Sequence, residues 1–310
     1  MPAMELVLTD TLFRARLERP DHGLRYLGPT LRGAFGFALK RIVCVVPPGD
    51  CARCRLQRVC AYPTIFDGLP PDDPAVLARY TSVPQPFVLE VAPPGRWWGE
   101  PDELVWGMRL FGPAARYLPY LVEAFDRIGT MGLGPRRVSY ELLEVRDRLG
   151  GRDALWEQGR DTVAAPTLAR APDGAPDLGD TVRIRFETPV NIRRGGSFLR
   201  EVDPVAIVSA ARRRLRLLRA FYASPARDEE REPGFVEADE FEVLHSDQRV
   251  WSISRYSGRQ KRKAPLHGVV GELVARGPWQ RVADVLAPVP LVHLGKHCSF
   301  GFGRVTVEGA

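Results

Sequence analysis

The sequence predicts an α+β protein in which one unit of structure occurs twice. Along the 310 residues, the predicted order strand, helix, strand, strand, helix, strand appears in each half of the chain. Each half also contains a Gly-x-Gly turn with an arginine just before a strand, at residues 132–138 and 301–305, which indicates an internal duplication. A βαββαβ unit is a ferredoxin-like fold. We therefore expect two tandem ferredoxin-like (RRM-like, βαββαβ) domains.

The first domain is predicted to span residues 1–146. Residues 4–17 alternate as a strand, and Pro29-Thr30 then opens a helix whose apolar residues recur at i, i+3, i+4 and i+7. A cysteine-rich insertion at residues 44–66 follows this helix. The remaining elements are expected in chain order as two strands, one amphipathic helix and a last strand, at residues 87–91, 104–111, 118–128 and 138–145.

Residues 147–180 are rich in Gly, Pro and Asp and are expected to form a hairpin and a linker. The second domain is predicted to span residues 181–310. Its first strand begins near Val182, and Asp203-Pro204 caps a helix with an arginine-rich outer face that we expect to be solvated. The later elements are predicted as a hairpin of two short strands, a helix and a strand, at residues 241–244 with 250–255, 269–275 and 290–294.

Composition favours a globular protein with an anionic partner. The hydrophobic content is 45% and the formal net charge is +6, which places nucleic acid first among the partners. The sequence contains no run of 18 apolar residues and no basic region followed by an apolar one at its N-terminus. We therefore expect a cytoplasmic protein without a membrane partner.

Four of the five cysteines fall within seventeen residues. In a reducing compartment, clustered cysteines indicate a metal site rather than disulfides. A Cys-x2-Cys pair offers two thiolates to a tetrahedral ion. We interpret the cluster as a structural zinc site. An iron–sulfur cluster is the main alternative, and a set of unrelated buried cysteines is the other. The expected ligands are Cys44, Cys51, Cys54 and Cys60.

Two segments of the second domain carry the residues expected to bind a nucleic acid. Residues 295–304 form a glycine-rich, cationic loop in which the backbone can approach a partner closely. Residues 255–263 contain five cations around one tyrosine, which suits phosphate neutralisation and base stacking, although an exposed, solvated loop is the alternative. The predicted contact residues are Arg255, Tyr256, Ser257, Arg259, Gln260, Lys261, Lys263, Lys296, Gly301, Gly303 and Arg304.

The combination of motifs resembles a known family. It consists, in chain order, of Leu31-Arg-Gly-Ala-Phe-Gly-x-Ala-Leu39, Cys51-x2-Cys54-x5-Cys60-Ala-Tyr62, Arg255-Tyr-Ser-Gly-Arg-Gln260 and His293-Leu-Gly-Lys-His-x-Ser-Phe-Gly-Phe-Gly-Arg304. Together they resemble the CRISPR-associated endoribonucleases of the RAMP superfamily, which cut precursor CRISPR RNA. The helix motif and the cysteine cluster look like a bacterial subgroup. The resemblance implies tandem ferredoxin-like domains, CRISPR repeat RNA or crRNA as the partner, and contact with other Cas effector subunits as a further option.

The resemblance also implies RNA cleavage without a metal or other catalytic cofactor. In that reaction the ribose 2′-hydroxyl attacks the adjacent phosphate, which leaves a 2′,3′-cyclic phosphate and a 5′-hydroxyl. It needs a general base, a general acid and a cation that stabilises the pentavalent phosphate. By position, the candidates are His22 or Tyr26 with Arg32 or Lys40 as the charge, and a competing pair of His297 and Lys296. The alternative function is a non-catalytic RAMP scaffold subunit that binds guide RNA within an effector complex.

Overall fold

A computed structural model describes residues 5–19, 26–46, 51–66, 83–151, 153–172, 174–223, 236–257 and 262–310. The chain divides into two compact units. Unit 1 comprises residues 1–169 with 218–227, and unit 2 comprises residues 170–217 with 228–310. No helix within these described ranges is long and apolar enough to cross a bilayer.

Unit 1 contains an antiparallel sheet with helices against one of its faces. Its strand order is β2-β3-β1-β4-β5, and a short strand β6 also pairs with β1. The order places β1 at the centre, between β3 and β4, as in a ferredoxin-like sheet. The strand bounds are β1 (Val7–Leu17), β2 (Phe87–Glu90), β3 (Glu103–Phe111), β4 (Tyr140–Asp147), β5 (Ala154–Glu157) and β6 (Ala169–Arg170).

The helices of unit 1 are α1 (Gly28–Val43), the short α2 (Ala61–Phe66) and α3 (Leu118–Met131). Their buried faces meet the sheet in an aromatic core. The ring of Phe125 on α3 lies 5.0 Å from both Phe13 of β1 and Phe35 of α1, and 5.1 Å from Trp106 of β3. Because alternate residues of a strand point to the same face, this core uses one face of the sheet and leaves the other for polar side chains.

Unit 2 repeats the arrangement. Its sheet has the order β10-β11-β7-β12, so β7 occupies the place that β1 has in unit 1. The main elements are β7 (Thr181–Val190), α4 (Pro204–Tyr222), β10 (Glu242–Ser257), β11 (Arg262–Arg276) and β12 (Val305–Gly309), with a small hairpin β8 (Arg193–Arg194) and β9 (Ser197–Phe198). The predicted α+β class and the two βαββαβ units are confirmed.

Two element predictions in unit 2 were wrong in the same region. Residues 269–275 belong to strand β11, not to a helix, and β10 is one continuous strand rather than two short ones joined by a turn. Apolar residues in this stretch fit helical and strand periods equally. Residues 269–275 form a strand because β11 pairs with β10 from Glu242 to Ser257. A bulge between Val243 and His245 shifts the register of this pairing.

The segment before the glycine-rich loop was also predicted wrongly. Residues 290–294 are not a strand. A 3₁₀ turn at Trp279–Val282 and two short helices, α5 (Ala283–Leu286) and α6 (Val289–Val292), stand where the second helix of the unit belongs. Pro290 has no N–H to donate to a sheet but is accepted in the first turn of a helix.

Helix α4 begins as predicted, since Asp203 accepts a hydrogen bond from the N–H of Ala206 at 2.7 Å. Its arginine face is not fully solvated, however. Arg214 is only 9% exposed, and its Nε donates to the carbonyl oxygen of Val292 at 3.0 Å. The long side chain of Arg214 carries its guanidinium to a carbonyl oxygen at the end of α6. The position of Arg214 on the helix therefore did not reveal that it is buried.

Candidate nucleic-acid interface

The glycine-rich loop of unit 2, residues 295–304, is packed so closely that glycine is required at two positions. Gly303 has φ +81°, and a Cβ there would lie 2.1 Å from the carbonyl oxygen of Leu294. Gly295 has φ +79°, and a Cβ there would lie 2.4 Å from the carbonyl oxygen of Asn191. The loop is therefore a fixed structure that begins and ends against the rest of unit 2.

Backbone hydrogen bonds attach this loop to the end of β7. The N–H of Lys296 donates to Asn191 at 2.8 Å, and the N–H of Gly303 donates to Pro189 at 3.0 Å. Arg304 donates its N–H to the hydroxyl oxygen of Thr188 at 2.9 Å. The loop therefore presents Lys296 outward from a rigid base, with its side chain exposed.

His293 supports the loop from inside. The residue is fully buried and adopts φ +59°, and its Nδ1 lies 2.9 Å from the carbonyl oxygen of Phe302. Together with the Arg214 bond to Val292, this contact fixes both ends of the loop. The sequence analysis placed residue 293 in a predicted strand and expected the arginine-rich face of α4 to be solvated.

His297 lies at the centre of a cationic cluster. It adopts a left-handed backbone conformation with φ +69°, and its ring meets the rings of Phe300 and Phe302 edge-on at 6.0 and 5.8 Å. Burial lowers the pKa of His297 from 6.5 to about 4, and three nearby cations add to the effect: Arg255, Lys296 and Arg193. At neutral pH the imidazole is therefore uncharged.

The long β10–β11 hairpin meets the same loop. The guanidinium carbon of Arg255 lies 4.7 Å from the centre of the Phe300 ring, and burial lowers the pKa of Arg255. Arg259, Gln260 and Lys261 lie outside the described residues. Tyr256, Ser257 and Lys263 are described only in the backbone of the hairpin, where Tyr256 pairs with Lys263.

In unit 1, the two cations assigned by position to catalysis pack on aromatic rings of α2. The guanidinium carbon of Arg32 lies 4.6 Å from the centre of the Phe66 ring, and Nζ of Lys40 lies 5.3 Å from that of Tyr62. Eight residues of α-helix separate the two along the axis by ~12 Å. Tyr26 precedes α1 and is 3% exposed, and His22 lies outside the described residues. Their catalytic roles stay predictions.

None of the four clustered cysteines is buried. Cys44 is exposed, while Cys51, Cys54 and Cys60 are partly exposed. Within the described parts of the chain, no three His, Cys, Asp or Glu side chains converge where a metal ion could be held. The donor chemistry suits zinc, but the described positions supply no ready coordination geometry. The remaining cysteine, Cys298, is buried in the glycine-rich loop, and burial raises the pKa of its thiol.

The face of the unit 1 sheet opposite the aromatic core carries buried charges that the sequence analysis did not identify. Arg109 is 5% exposed, and its Nε lies 3.1 Å from Asp10 and its Nη2 3.2 Å from Glu90. Arg148 pairs with the same two carboxylates. Gly107 makes room for this quartet, since a Cβ there would lie 2.8 Å from Arg148 and Glu90. The buried charges on this face are thus neutralised within the sheet.

Comparison with protein families gives a match for each half of the chain. Residues 6–168, just over half of the chain, match the family AF_1859_N, which is described as an N-terminal domain. Residues 184–305 match the family of the CRISPR-associated endoribonuclease Cas6. The second match contains the β10–β11 hairpin and the whole glycine-rich loop.

Similar proteins and structures match along nearly the whole chain. An uncharacterized protein of Archaeoglobus fulgidus is 26% identical over 310 residues, which cover 97% of this chain and 98% of that protein. The structure of the Thermus thermophilus Cas6 TTHB231 in a product complex is 15% identical with a TM-score of 0.52, covering 97% of this chain and 99% of that one. A partial Cas6-RT-Cas1–Cas2 complex is 9% identical with a TM-score of 0.56, covering all of this chain and 47% of that one. At these identities the structures show a shared fold.

Proposed function

The chain belongs to the AF_1859_N family, and its residues 184–305 match the family of the CRISPR-associated endoribonuclease Cas6. On this basis we propose that it cleaves precursor CRISPR RNA by an internal attack of the RNA on itself. An endoribonuclease role in processing this RNA follows from the Cas6 match. The cleavage chemistry is the proposal. It produces a 2′,3′-cyclic phosphate on one fragment and a 5′-hydroxyl on the other.

The proposed reaction includes two proton transfers, one from the attacking 2′-hydroxyl and one to the leaving 5′-oxygen. A general base removes the proton of the 2′-hydroxyl, whose oxygen then bonds to the adjacent phosphorus. The bond from phosphorus to the 5′-oxygen breaks, and a general acid gives that oxygen a proton. Cations beside the phosphate stabilise the negative charge of the pentavalent state. No metal takes part in this scheme.

The cluster around His297 is the observation that carries the proposal. The pKa of about 4 keeps the imidazole of His297 uncharged at neutral pH, which leaves a ring nitrogen free to accept a proton but makes it a weaker base than an unperturbed histidine. Arg255, Lys296 and Arg193 supply positive charge close to it. A base with cations beside it supplies two of the three groups that the reaction requires, and the general acid is not assigned to a residue. His22, Tyr26, Arg32 and Lys40 remain the competing set in unit 1.

CRISPR repeat RNA is the proposed partner. The Thermus thermophilus relative was captured in a product complex, and another relative forms part of a Cas6-RT-Cas1–Cas2 complex. We propose that this chain binds CRISPR RNA in the same way and that contact with other Cas proteins is a further possibility. The rigid, cationic glycine-rich loop supports phosphate binding.

A cleavage assay with two matched RNA substrates tests the proposal. One substrate is the repeat RNA, and the other carries a single 2′-deoxy nucleotide at the cut site, which removes the attacking group without changing the phosphates. Both are incubated with protein in EDTA. We expect cutting of the first and none of the second, with a cyclic phosphate end. Tight binding without cutting of either substrate would instead establish a non-catalytic scaffold subunit.

Variants then assign the base. We expect His297→Asn to reduce the cleavage rate by a factor of roughly 10² to 10⁴ while RNA affinity changes little. Full activity of His297→Asn, with loss in His22→Asn or Tyr26→Phe, would move the catalytic site to unit 1.

We also propose a structural zinc ion for the cysteine segment, with an iron–sulfur cluster as the alternative. Four thiols occur within seventeen residues, and none of the described residues between 44 and 60 is buried. A segment without buried side chains lacks a core of its own, so a metal is a natural source of its folding free energy. No step of the cleavage involves this ion.

A further inference from the structure

The turn at residues 132–138 has the same place in unit 1 that the glycine-rich loop has in unit 2. We call it the unit 1 turn. It connects α3, the second long helix of its unit, to β4, and the glycine-rich loop connects α6 to β12. Strands β4 and β12 each pair antiparallel with the central strand of their own sheet, β1 and β7. The two connections are therefore topologically equivalent, as expected from an internal duplication.

The equivalence extends to the local structure. Residues 132–134 and 301–303 read Gly-Leu-Gly and Gly-Phe-Gly, so each connection has one apolar residue between two glycines. All four glycines have φ between +72° and +81°, and the side chains of Leu133 and Phe302 are both fully buried. In each unit, one apolar side chain thus anchors the connection to the core, while the glycines turn the backbone sharply on either side of it.

Backbone hydrogen bonds hold the unit 1 turn in one shape. The N–H of Leu133 donates to the carbonyl oxygen of Val138 at 2.8 Å, and the N–H of Val138 donates to that of Leu133 at 3.0 Å. At Gly132, a Cβ would lie 2.6 Å from the carbonyl oxygen of Arg137. The closed turn therefore presents the residues at its tip, 135–137, and all three are exposed.

Arg137 adopts a backbone conformation that is unusual for arginine. Its φ is +52°, in the left-handed region that glycine enters at much lower cost. Only two other non-glycine residues in the described parts of the chain have a positive φ, and they are His293 and His297, beside and within the glycine-rich loop. Strained residues of this kind are concentrated where proteins contact their ligands. In unit 1 the strain therefore lies in the turn that is equivalent to the loop proposed to bind phosphate.

We propose that the unit 1 turn is a second phosphate-binding element and that the side chains of Arg136 and Arg137 contact the backbone of the RNA. The inference rests on the proposed function, since it takes CRISPR RNA as the ligand. A guanidinium carries five N–H donors, and the hydrogen bond from Nη1 of Arg137 to the carbonyl oxygen of Met131, at 3.1 Å, uses one of them. Two adjacent guanidiniums on a rigid turn suit the closely spaced phosphates of an RNA strand.

A purely structural role of Arg137 is the alternative that the test must separate. Its bond to Met131 lies at the C-terminal end of α3, where a positive charge also opposes the helix dipole. Arg137→Gly distinguishes the two roles, because it removes the guanidinium and at the same time relieves the positive φ. A contact with RNA predicts that this variant loses affinity without losing stability.

The salt dependence of binding measures the contribution of the unit 1 turn. Each phosphate neutralised on a single strand adds about 0.7 to the slope of log affinity against log salt concentration. If Arg136 and Arg137 each contact one phosphate, their removal lowers the slope by about 1.4. When the salt concentration rises about fourfold, the affinity of the wild-type protein should then fall about sevenfold more than that of the variant.

The test compares two double variants that change the net charge equally. The first is Arg136→Gln with Arg137→Gln. The matched control is Arg96→Gln with Arg116→Gln, at two exposed positions of the same unit. Binding of fluorescein-labelled repeat RNA with a 2′-deoxy nucleotide at the cut site is measured by anisotropy over a series of NaCl concentrations. We expect the first variant to lose about 1.4 from the slope and the control to keep the wild-type value within about 0.3.

The single variant Arg137→Gly is measured in the same way, together with its midpoint of urea unfolding. We expect its slope to fall by about 0.7, with a midpoint no lower than that of the wild-type protein. A wild-type slope, or a loss of slope that comes only with a lower midpoint, would assign Arg137 to the end of α3 and overturn its contact with RNA.

The two proposals fail in different ways. If the wild-type protein binds RNA and both double variants share its slope, the unit 1 turn does not contact RNA while the proposed function stands. An equal loss in both double variants would show a long-range effect of net charge and would also overturn the second phosphate-binding element. If the wild-type protein itself shows no specific binding of the repeat RNA, the proposed function fails, and the contact at the unit 1 turn fails with it.

Discussion

The guanidinium of Arg255 stacks on the ring of Phe300, with 4.7 Å between the guanidinium carbon and the ring centre. The two residues lie 45 positions apart in the sequence, on the β10–β11 hairpin and in the glycine-rich loop. This contact joins the two segments that were separately expected to bind nucleic acid. It also places a positive charge near His297, which contributes to the lowered pKa of that residue.

Replacing Arg255 by glutamine should weaken RNA binding without changing its sequence preference. The loss of one phosphate contact is expected to lower the salt slope by about 0.7. Arg249→Gln, at an exposed position on the same strand β10, is the control and should leave the slope unchanged. The measurement is RNA affinity at several salt concentrations. An Arg255→Gln variant with the wild-type slope would show that this arginine serves the packing of Phe300 alone.

His297 should make the protein less stable in mild acid. Its pKa is about 4 in the folded protein and 6.5 in the unfolded chain. Between these values the unfolded chain binds more protons, so stability is present above pH 6.5 and is lost as the pH falls toward 4. The loss from this residue between pH 7 and pH 5 is about 2 kcal/mol.

Urea unfolding of the wild-type protein and of His297→Asn at both pH values measures this effect. We expect the difference in unfolding free energy between the two proteins to change by the stated amount. His245→Asn, at an exposed position of β10, should follow the wild type. Parallel pH profiles for all three proteins would contradict a neutral, buried His297.

Alanine at Gly303 should damage the glycine-rich loop far more than alanine at Gly196. Both glycines have a similar positive φ, +81° and +83°, so both substitutions incur the cost of the left-handed conformation, about 1–2 kcal/mol. Only at Gly303 does the new Cβ meet a carbonyl oxygen, at 2.1 Å, whereas nothing lies within 4 Å at Gly196. We expect Gly303→Ala to lose at least 1 kcal/mol more stability in thermal or urea unfolding, together with RNA affinity. Equal losses would mean that the loop adjusts freely.

The cysteine proposal predicts that purified protein contains about one zinc ion per chain. Substituting Cys51 and Cys54 together by serine should remove the metal and lower the melting temperature, since a structural ion contributes folding free energy. Cys298→Ser should keep the metal. Elemental analysis with thermal unfolding checks this. A brown protein with iron would favour the iron–sulfur alternative, and a metal-free wild type of unchanged stability would contradict both.

The spacing of apolar residues along the chain was enough to predict several helices and strands. Strand β1, helices α1 and α3 and the Asp203 cap of α4 were found from periodicity and capping residues, which act within one or two turns of chain. Residues 269–275 failed the same method because their apolar spacing suits both a helix and a strand. Long-range pairing with β10 decided for the strand, and pairing is not encoded in a window of that length.

The candidate site also has features that the sequence predicted and features that it did not. The glycines, cations and histidine of residues 295–304 were identified from their types and spacing, because glycine is the residue that tolerates positive φ and close approach. The burial of Arg214, the Asp10–Glu90–Arg109–Arg148 quartet and the neutral state of His297 were not. Each of these depends on which side chains from distant strands and helices come together, and on how much water they exclude.

The sequence by itself thus determined the α+β class, the repeated βαββαβ order and the segments that carry positive charge, because each depends on local periodicity and residue type. Only the tertiary structure decided that Arg255 stacks on Phe300 and that burial and three nearby cations keep His297 uncharged at neutral pH. Burial and charge interaction depend on distance in space, and folding brings together residues that the chain keeps far apart.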